Sequence, residues 1–109
     1  MSRRDNDILV DDMLASCLKI VRYTAGLTYD AFSNDEKTID AVIRNFEIIG
    51  EAANNLSDEF KDQYPQIDWH KMRGFRNRIV HDYAGVDLRM VWSIITAFLP
   101  GLTAELRNL

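Results

Sequence analysis

Apolar residues recur at helical steps along most of this chain. Between residues 7 and 27, Ile8, Leu14, Cys17, Leu18, Val21 and Ala25 fall mostly three or four apart, which predicts one long amphipathic helix. Leu9, Val10, Met13 and Ile20 widen its stripe enough for more than one neighbour. Gly26 lies near its end, and the polar residues 28–34 read as a loop. In the second helix Ile39, Val42, Ile43, Phe46, Ile49 and Ala53 trace a buried face. Ser33, with Glu36 three residues on, is the predicted capping box. Gly50 costs about 1 kcal/mol relative to Ala in a helix, so its presence predicts a close approach by another backbone. Asn54 and Asn55 terminate well.

Ser57 reads as the cap of a short third helix over residues 58–63, ended by Pro65. A fourth helix is expected from about Asp68, turning Trp69, Met72, Phe75, Ile79 and Val80 inward. Gly85 and Asp87 mark the next break. A fifth helix runs from Asp87 to about Leu106, with Leu88, Val91, Trp92, Ile95, Leu99, Leu102 and Leu106 on one stripe. Pro100-Gly101 should bend or interrupt it. No strand alternation, repeat or low-complexity segment is present. The expected fold class is therefore all-α, an antiparallel four- to five-helix bundle in a single domain over residues 1–109.

Composition narrows the function classes. With 47% hydrophobic and 28% charged residues the chain is globular. A lone cysteine, Cys17, excludes an internal disulfide and reads as a small core residue. No Cys/His set has zinc spacing, so no metal or cofactor is expected. The first residues turn acidic without a signal-peptide apolar region, and no apolar run approaches the ~20 residues of a membrane span. A soluble, cytoplasmic protein is expected. The formal charge of −4 and pI near 5.0 argue against a general nucleic-acid coat protein.

Local charge says otherwise. Residues 70–78 read His70-Lys71-Met72-Arg73-Gly74-Phe75-Arg76-Asn77-Arg78, four formal positive charges and a histidine in an otherwise acidic chain. A run like this is ordinarily a solvated helix face. Its sharper reading is a phosphate-binding patch, because Arg donors match phosphate oxygens. On an ideal helix Arg73, Asn77 and His81 share a face, whereas Arg76 and His81 lie about 140° apart. A single-helix site is thus imperfect, and a two-fold dimer would help complete it.

The string Arg76-Asn77-Arg78-Ile79-Val80-His81-Asp82-Tyr83 resembles the R-x4-H-x-Y pattern of HepT toxins within the HEPN superfamily. The resemblance continues through Ile49-Gly50-Glu51-Ala52-Ala53-Asn54, Tyr64-Pro65, Ile67, Trp69, Met72, Val86-Asp87, Val91-Trp92 and Leu99-Pro100. It implies a HEPN-like homodimer, open to higher assembly, whose paired motifs cut RNA without a metal. It implies that His81 is a general acid or base and that Arg76 stabilises the phosphate, with Asn77 orienting and Arg73 or Arg78 holding flanking phosphates. Tyr83 has two readings. By composition it is a packed ring with a wet hydroxyl. By resemblance it is the acceptor of AMP from an MntA-like nucleotidyltransferase antitoxin, whose added charge would oppose RNA entry.

Other polar residues carry less. His70 reads as a solvated or capping side chain near the start of the fourth helix. Glu51 and Asn54 share a face that can approach the motif. The rival to the toxin ribonuclease is a non-catalytic module that binds a nucleotide or its nucleotidyltransferase partner.

Overall fold

The computed structural model describes residues 3–81 and 85–109, in the backbone alone at positions 3, 4, 76, 80 and 81. Helix α1 (Arg3–Thr24) and helix α3 (Glu36–Asn55) pack antiparallel. Their relative direction is pinned by one side chain. Asn6, near the start of α1, donates to Ser57 Oγ and accepts from the Ser57 amide, both at 3.2 Å, just past the end of α3. Ser57 in turn caps α4 (Asp58–Gln63) by accepting from the Phe60 amide, as expected from the sequence. One buried Asn thereby links α1 to the junction of two other helices.

Residues 28–34 are not a loop. They fold into α2 (Tyr29–Ser33), capped by Thr28, whose hydroxyl accepts from the Ala31 amide at 3.1 Å. A five-residue helix is too short to show a periodic stripe. It packs through the buried Phe32, 5.2 Å from the Trp92 ring, and through Tyr29, which meets the same ring edge to face at 6.2 Å. The cap of α3 is likewise Asp35 and not Ser33. Asp35 accepts from the amide and hydroxyl of Thr38 at 3.2 and 2.7 Å, while Ser33 donates to the Asp30 carbonyl inside α2. Those bonds, the hydroxyl's foremost, hold the Asp35 carboxyl below its ordinary range.

The expected fourth helix is split. Helix α5 (Trp69–Arg73) closes at Gly74, whose amide donates to both the His70 and Lys71 carbonyls, and α6 (Phe75–Ile79) follows. The chain then becomes extended. Strand β1 (Val80–His81) pairs antiparallel with β2 (Gly85–Val86) in the register Val80 to Val86 and His81 to Gly85. Gly85 takes a positive φ of 78°, which a side chain would strain, and the Asp87 amide donates to the Ile79 carbonyl at 2.6 Å. This two-residue ladder departs from the expectation of no strands, and it stops Val80 and His81 from continuing the helix. The described architecture is otherwise helical throughout, an all-α bundle.

The last helical run is continuous but not uniform. Helix α7 (Leu88–Ser93) passes through a π-helical turn (Ile94–Phe98) into α8 (Leu99–Arg107). Within the turn the Leu99 amide donates to the Ile94 carbonyl, five residues back. The irregularity expected at Pro100-Gly101 thus falls before Pro100. A widened turn accommodates a residue that has no amide proton and whose ring crowds the preceding turn.

The long helices, α5, α6, α7, the π turn and α8 share one apolar cluster that includes Met13, Ile20, Phe46, Ile49, Met72, Phe75, Val91, Ile94 and Leu99. Cys17 belongs to it. Burial pushes its thiol up to about 11 despite a hydrogen bond with Thr103, so it remains protonated and inert at neutral pH. None of the described helices is long and apolar enough to cross a membrane.

Candidate functional site

Helices α5 and α6 form a ridge whose inner side is fastened at several points. Asp68 caps α5 by accepting from the Lys71 amide at 2.9 Å. Trp69 donates from Nε1 to the Tyr64 carbonyl at 3.1 Å and packs against Phe60. Phe75 meets Phe46 of α3 at 5.1 Å and Phe98 of the π turn at 5.9 Å, both edge to face. The tightest contact is backbone to backbone. A Cβ at Gly50 would lie 2.9 Å from the Met72 carbonyl oxygen, so only glycine lets α3 and α5 approach this closely. That fulfils the reading of Gly50 from the sequence.

With Trp69, Met72, Phe75 and Ile79 turned inward, the polar residues of the ridge are turned out. His70, Arg73, Asn77 and Arg78 are exposed, and Lys71 is half-buried with its ammonium 4.4 Å from the Phe98 ring centre. The close approach at Gly50 also fixes what faces them. Asn54 lies one turn further along α3, and it joins His70, Arg73, Gly74 and Asn77 around a groove of about 270 Å³. Arg73 also borders a neighbouring groove of about 310 Å³ beside Glu47, Glu51 and Asn54. The expected approach of Glu51 and Asn54 therefore reaches Arg73.

On the opposite side of the ridge, Lys71 and Arg78 share a half-apolar groove of about 300 Å³ with Met90, Ser93 and Phe98. The broadest groove, about 770 Å³, brings Asp58, Asp62 and Asp68 beside Lys61, His70 and Arg73. Its three carboxylates disfavour a phosphate chain, so size does not mark the site here. Among the described residues the ion pairs are Arg44 with Glu47 and Lys61 with Asp58, both at 3.8 Å and neither on the ridge. Also among the described residues, no three His, Cys, Asp or Glu side chains gather into a metal-binding group.

The residues singled out by sequence separate only in part. Arg73 and Asn77 share one groove, Asn77 and Arg78 share another of about 390 Å³ with His70 and Lys71, and Arg78 and Lys71 also border the flank facing α7. Arg76 lies on α6 and His81 on β1, so the backbone passes from helix to strand between them. The single helical face expected for Arg73, Asn77 and His81 thus ends at Asn77, because the hairpin's pairing replaces the helix after Ile79. Tyr83 and Asp82 lie outside the described residues. His70, exposed as its solvated reading implies, and Asn54 join Arg73 and Asn77 at the groove. Their signal was the i, i+3 step from His70 to Arg73 together with the glycine one turn before Asn54.

Comparison with known proteins places this architecture in company. The family described as Ribonuclease HepT-like matches residues 13–109. A protein of Thermococcus cleftensis named "Probable ribonuclease HepT" is 36% identical over 110 aligned positions, covering all of this chain and 98% of that protein. Two Methanocaldococcus jannaschii proteins, each named "Putative RNase", are 34% identical over 109 and 105 residues. They cover 100% and 96% of this chain, and 90% and 96% of their own lengths. No solved structure matches the chain.

Proposed function

Because this chain belongs to the Ribonuclease HepT-like family, we propose that it is a metal-independent endoribonuclease, the toxin of a toxin–antitoxin pair, with Arg76 and His81 at its centre. The observation that carries this reading is the Arg76-x4-His81-x-Tyr83 string within a family match that spans nearly the whole chain. The basic ridge that bears Arg76 supports it, since an acidic protein has concentrated its donors for phosphate there.

In the proposed reaction the RNA 2′-oxygen attacks the adjacent phosphorus as its proton passes to a base, a role assigned to His81. The new bond closes a cyclic phosphate, the bond to the 5′-oxygen breaks, and that oxygen takes a proton from a general acid or water and leaves as a 5′-hydroxyl. Arg76 stabilises the extra negative charge on the phosphate, and Asn77 orients one of the reacting groups. Arg73 and Arg78, on opposite flanks of the ridge, hold phosphates on either side of the cut. A homodimer brings two copies of the motif together, which supplies the arginine–histidine proximity that one chain's helix-to-strand path does not by itself require.

Control of the toxin is proposed to act on Tyr83. Its phenolic oxygen attacks the α-phosphorus of ATP bound to an MntA-like nucleotidyltransferase antitoxin, and pyrophosphate departs. The added AMP brings bulk and negative charge beside the phosphate-binding ridge and opposes RNA entry. If Tyr83→Phe were neutralised as fully as the wild type by that antitoxin's modification, this assignment would fall.

The decisive experiment is RNA cleavage in EDTA by the wild type, Arg76→Ala and His81→Ala. Cutting by the wild type alone, with both variants folded, is expected. No cutting, or equal cutting by all three, would move the reading to a non-catalytic module that binds a nucleotide or its nucleotidyltransferase partner.

A further inference from the structure

The two flanks of the α5–α6 ridge are chemically different. On the flank facing α7 and the π turn, Lys71 rests on the Phe98 ring, and Met90, Ile94 and Ala97 supply an apolar wall. On the flank facing α3, Arg73 and His70 project one turn apart with no ion-pair partner among the described residues. Two neutral carboxamides complete that groove, Asn54 from α3 and Asn77 from α6. An arginine with no ion pair among the described residues, beside a histidine that can donate a hydrogen bond, suits an anion from outside. Carboxamides beside them offer paired donors and acceptors suited to a base edge.

We propose that this groove is a subsite for one nucleotide of single-stranded RNA flanking the cut, with Arg73 and His70 on its phosphate and Asn54 on the polar edge of its base. The inference rests on the ribonuclease reading and extends it to residues that the motif does not contain. Its volume of about 270 Å³ is on the scale of a single nucleotide. Its neighbours limit its reach. Glu47 and Glu51 lie on one side, and Asp58, Asp62 and Asp68 on the other. Carboxylates at both ends repel further phosphates, so the strand crosses the ridge here at one phosphate instead of lying along α3. Gly50 holds the subsite together, because its contact with Met72 sets the distance at which Asn54 meets Arg73.

The test is anisotropy titration with a fluorescein-labelled, 2′-O-methylated single-stranded RNA, which cannot react because the attacking hydroxyl is blocked. Arg73→Ala should bind about tenfold more weakly, as expected for one lost charged hydrogen bond. Its log–log salt slope should fall by about 0.7, the value for one phosphate contact on a single strand. His70→Gln and Asn54→Ala should each weaken binding severalfold, and Asn54→Ala should leave the salt slope unchanged. Lys19→Ala, an exposed cation on α1, should bind like the wild type. The proposal is overturned if the three groove variants bind within twofold of the wild type, if Lys19→Ala weakens binding as much as Arg73→Ala, or if the wild type binds no RNA.

Cleavage of unmodified RNA, measured in parallel, separates the two claims. Groove variants that lose binding in a protein that cuts nothing leave the subsite standing and remove the nuclease. A wild type that cuts, with groove variants that bind and cut equally well, removes the subsite alone.

Discussion

Helices α1 and α3 and the segment from Asp68 to Asp87 solve opposite problems with the same core. The two long helices, 22 and 20 residues, each carry an apolar stripe along their length, and cooperative burial on that stripe outweighs the end effects of the helix. The described residues of the later segment form two five-residue helices and a two-residue ladder. Each piece is too short to be stable alone, so each is held by contacts with its surroundings: Trp69 on Tyr64, Phe75 between two phenylalanines, Met72 against Gly50. Fragmentation exposes many turns and polar side chains, and the proposed chemistry is concentrated there. Scaffold and site differ in how their helices end more than in what they bury.

The comparison can be broken most directly at Phe75, which is almost fully buried inside a five-residue helix. Phe75→Ala should cost about 3–5 kcal/mol in denaturant unfolding. Hydrogen exchange should then show residues 69–79 opening well before α1 and α3. A loss below 1 kcal/mol would mean that the segment borrows little from the core.

Next comes the seam between the two regions. Gly50→Leu drives a side chain into the Met72 carbonyl and should cost up to about 3 kcal/mol by overpacking, even though leucine is the better helix former. It should also weaken RNA binding by moving Asn54 away from Arg73. A neutral or stabilising result would show that α3 and α5 can separate freely.

A smaller effect probes the scaffold alone. Cys17 keeps its proton more tightly when folded, its pKa being raised to about 11 from an ordinary value near 9. The folded state therefore binds more protons than the unfolded chain between those values. The stability this contributes is present below about pH 9 and is lost as pH rises through about 11, on the order of 2 kcal/mol in all. Subtracting the pH profile of Cys17→Ala isolates it. An identical decline in both proteins would place the thiol in contact with solvent.

The smallest effect lies at the hinge of α1 and α4. Ser57→Ala removes the α4 cap and an acceptor for Asn6. The expected cost is about 1 kcal/mol in thermal or denaturant unfolding. Cleavage should be unchanged, which separates this scaffold contact from the ridge.

Much of the scaffold was legible without coordinates. The stripe from Ile39 to Ala53, the Ser57 cap and the tight approach at Gly50 each follow from local rules that neighbouring elements do not override. The motif from Arg76 to Tyr83 was legible as a string, because its meaning is carried by residue identity. The fragments were not. Thr28 to Ser33 holds one buried apolar residue, and one point has no period. Ser33 and Asp35 are both competent caps, and the Thr38 hydroxyl bond decides in favour of Asp35. Gly74 by itself is tolerated inside a helix. Its role as a break emerges only with the hairpin that captures Val80 and His81.

What the sequence determined by itself, then, was the all-α class and the long helices, since each depends on interactions within a few turns of the chain. The tertiary structure decided where the helices break and which polar residues meet. Arg73 lies beside Asn54, nineteen positions earlier in the chain, because a glycine in one helix lets the backbone of another come within contact. Such a distance is set by packing between elements, and no local periodicity encodes it.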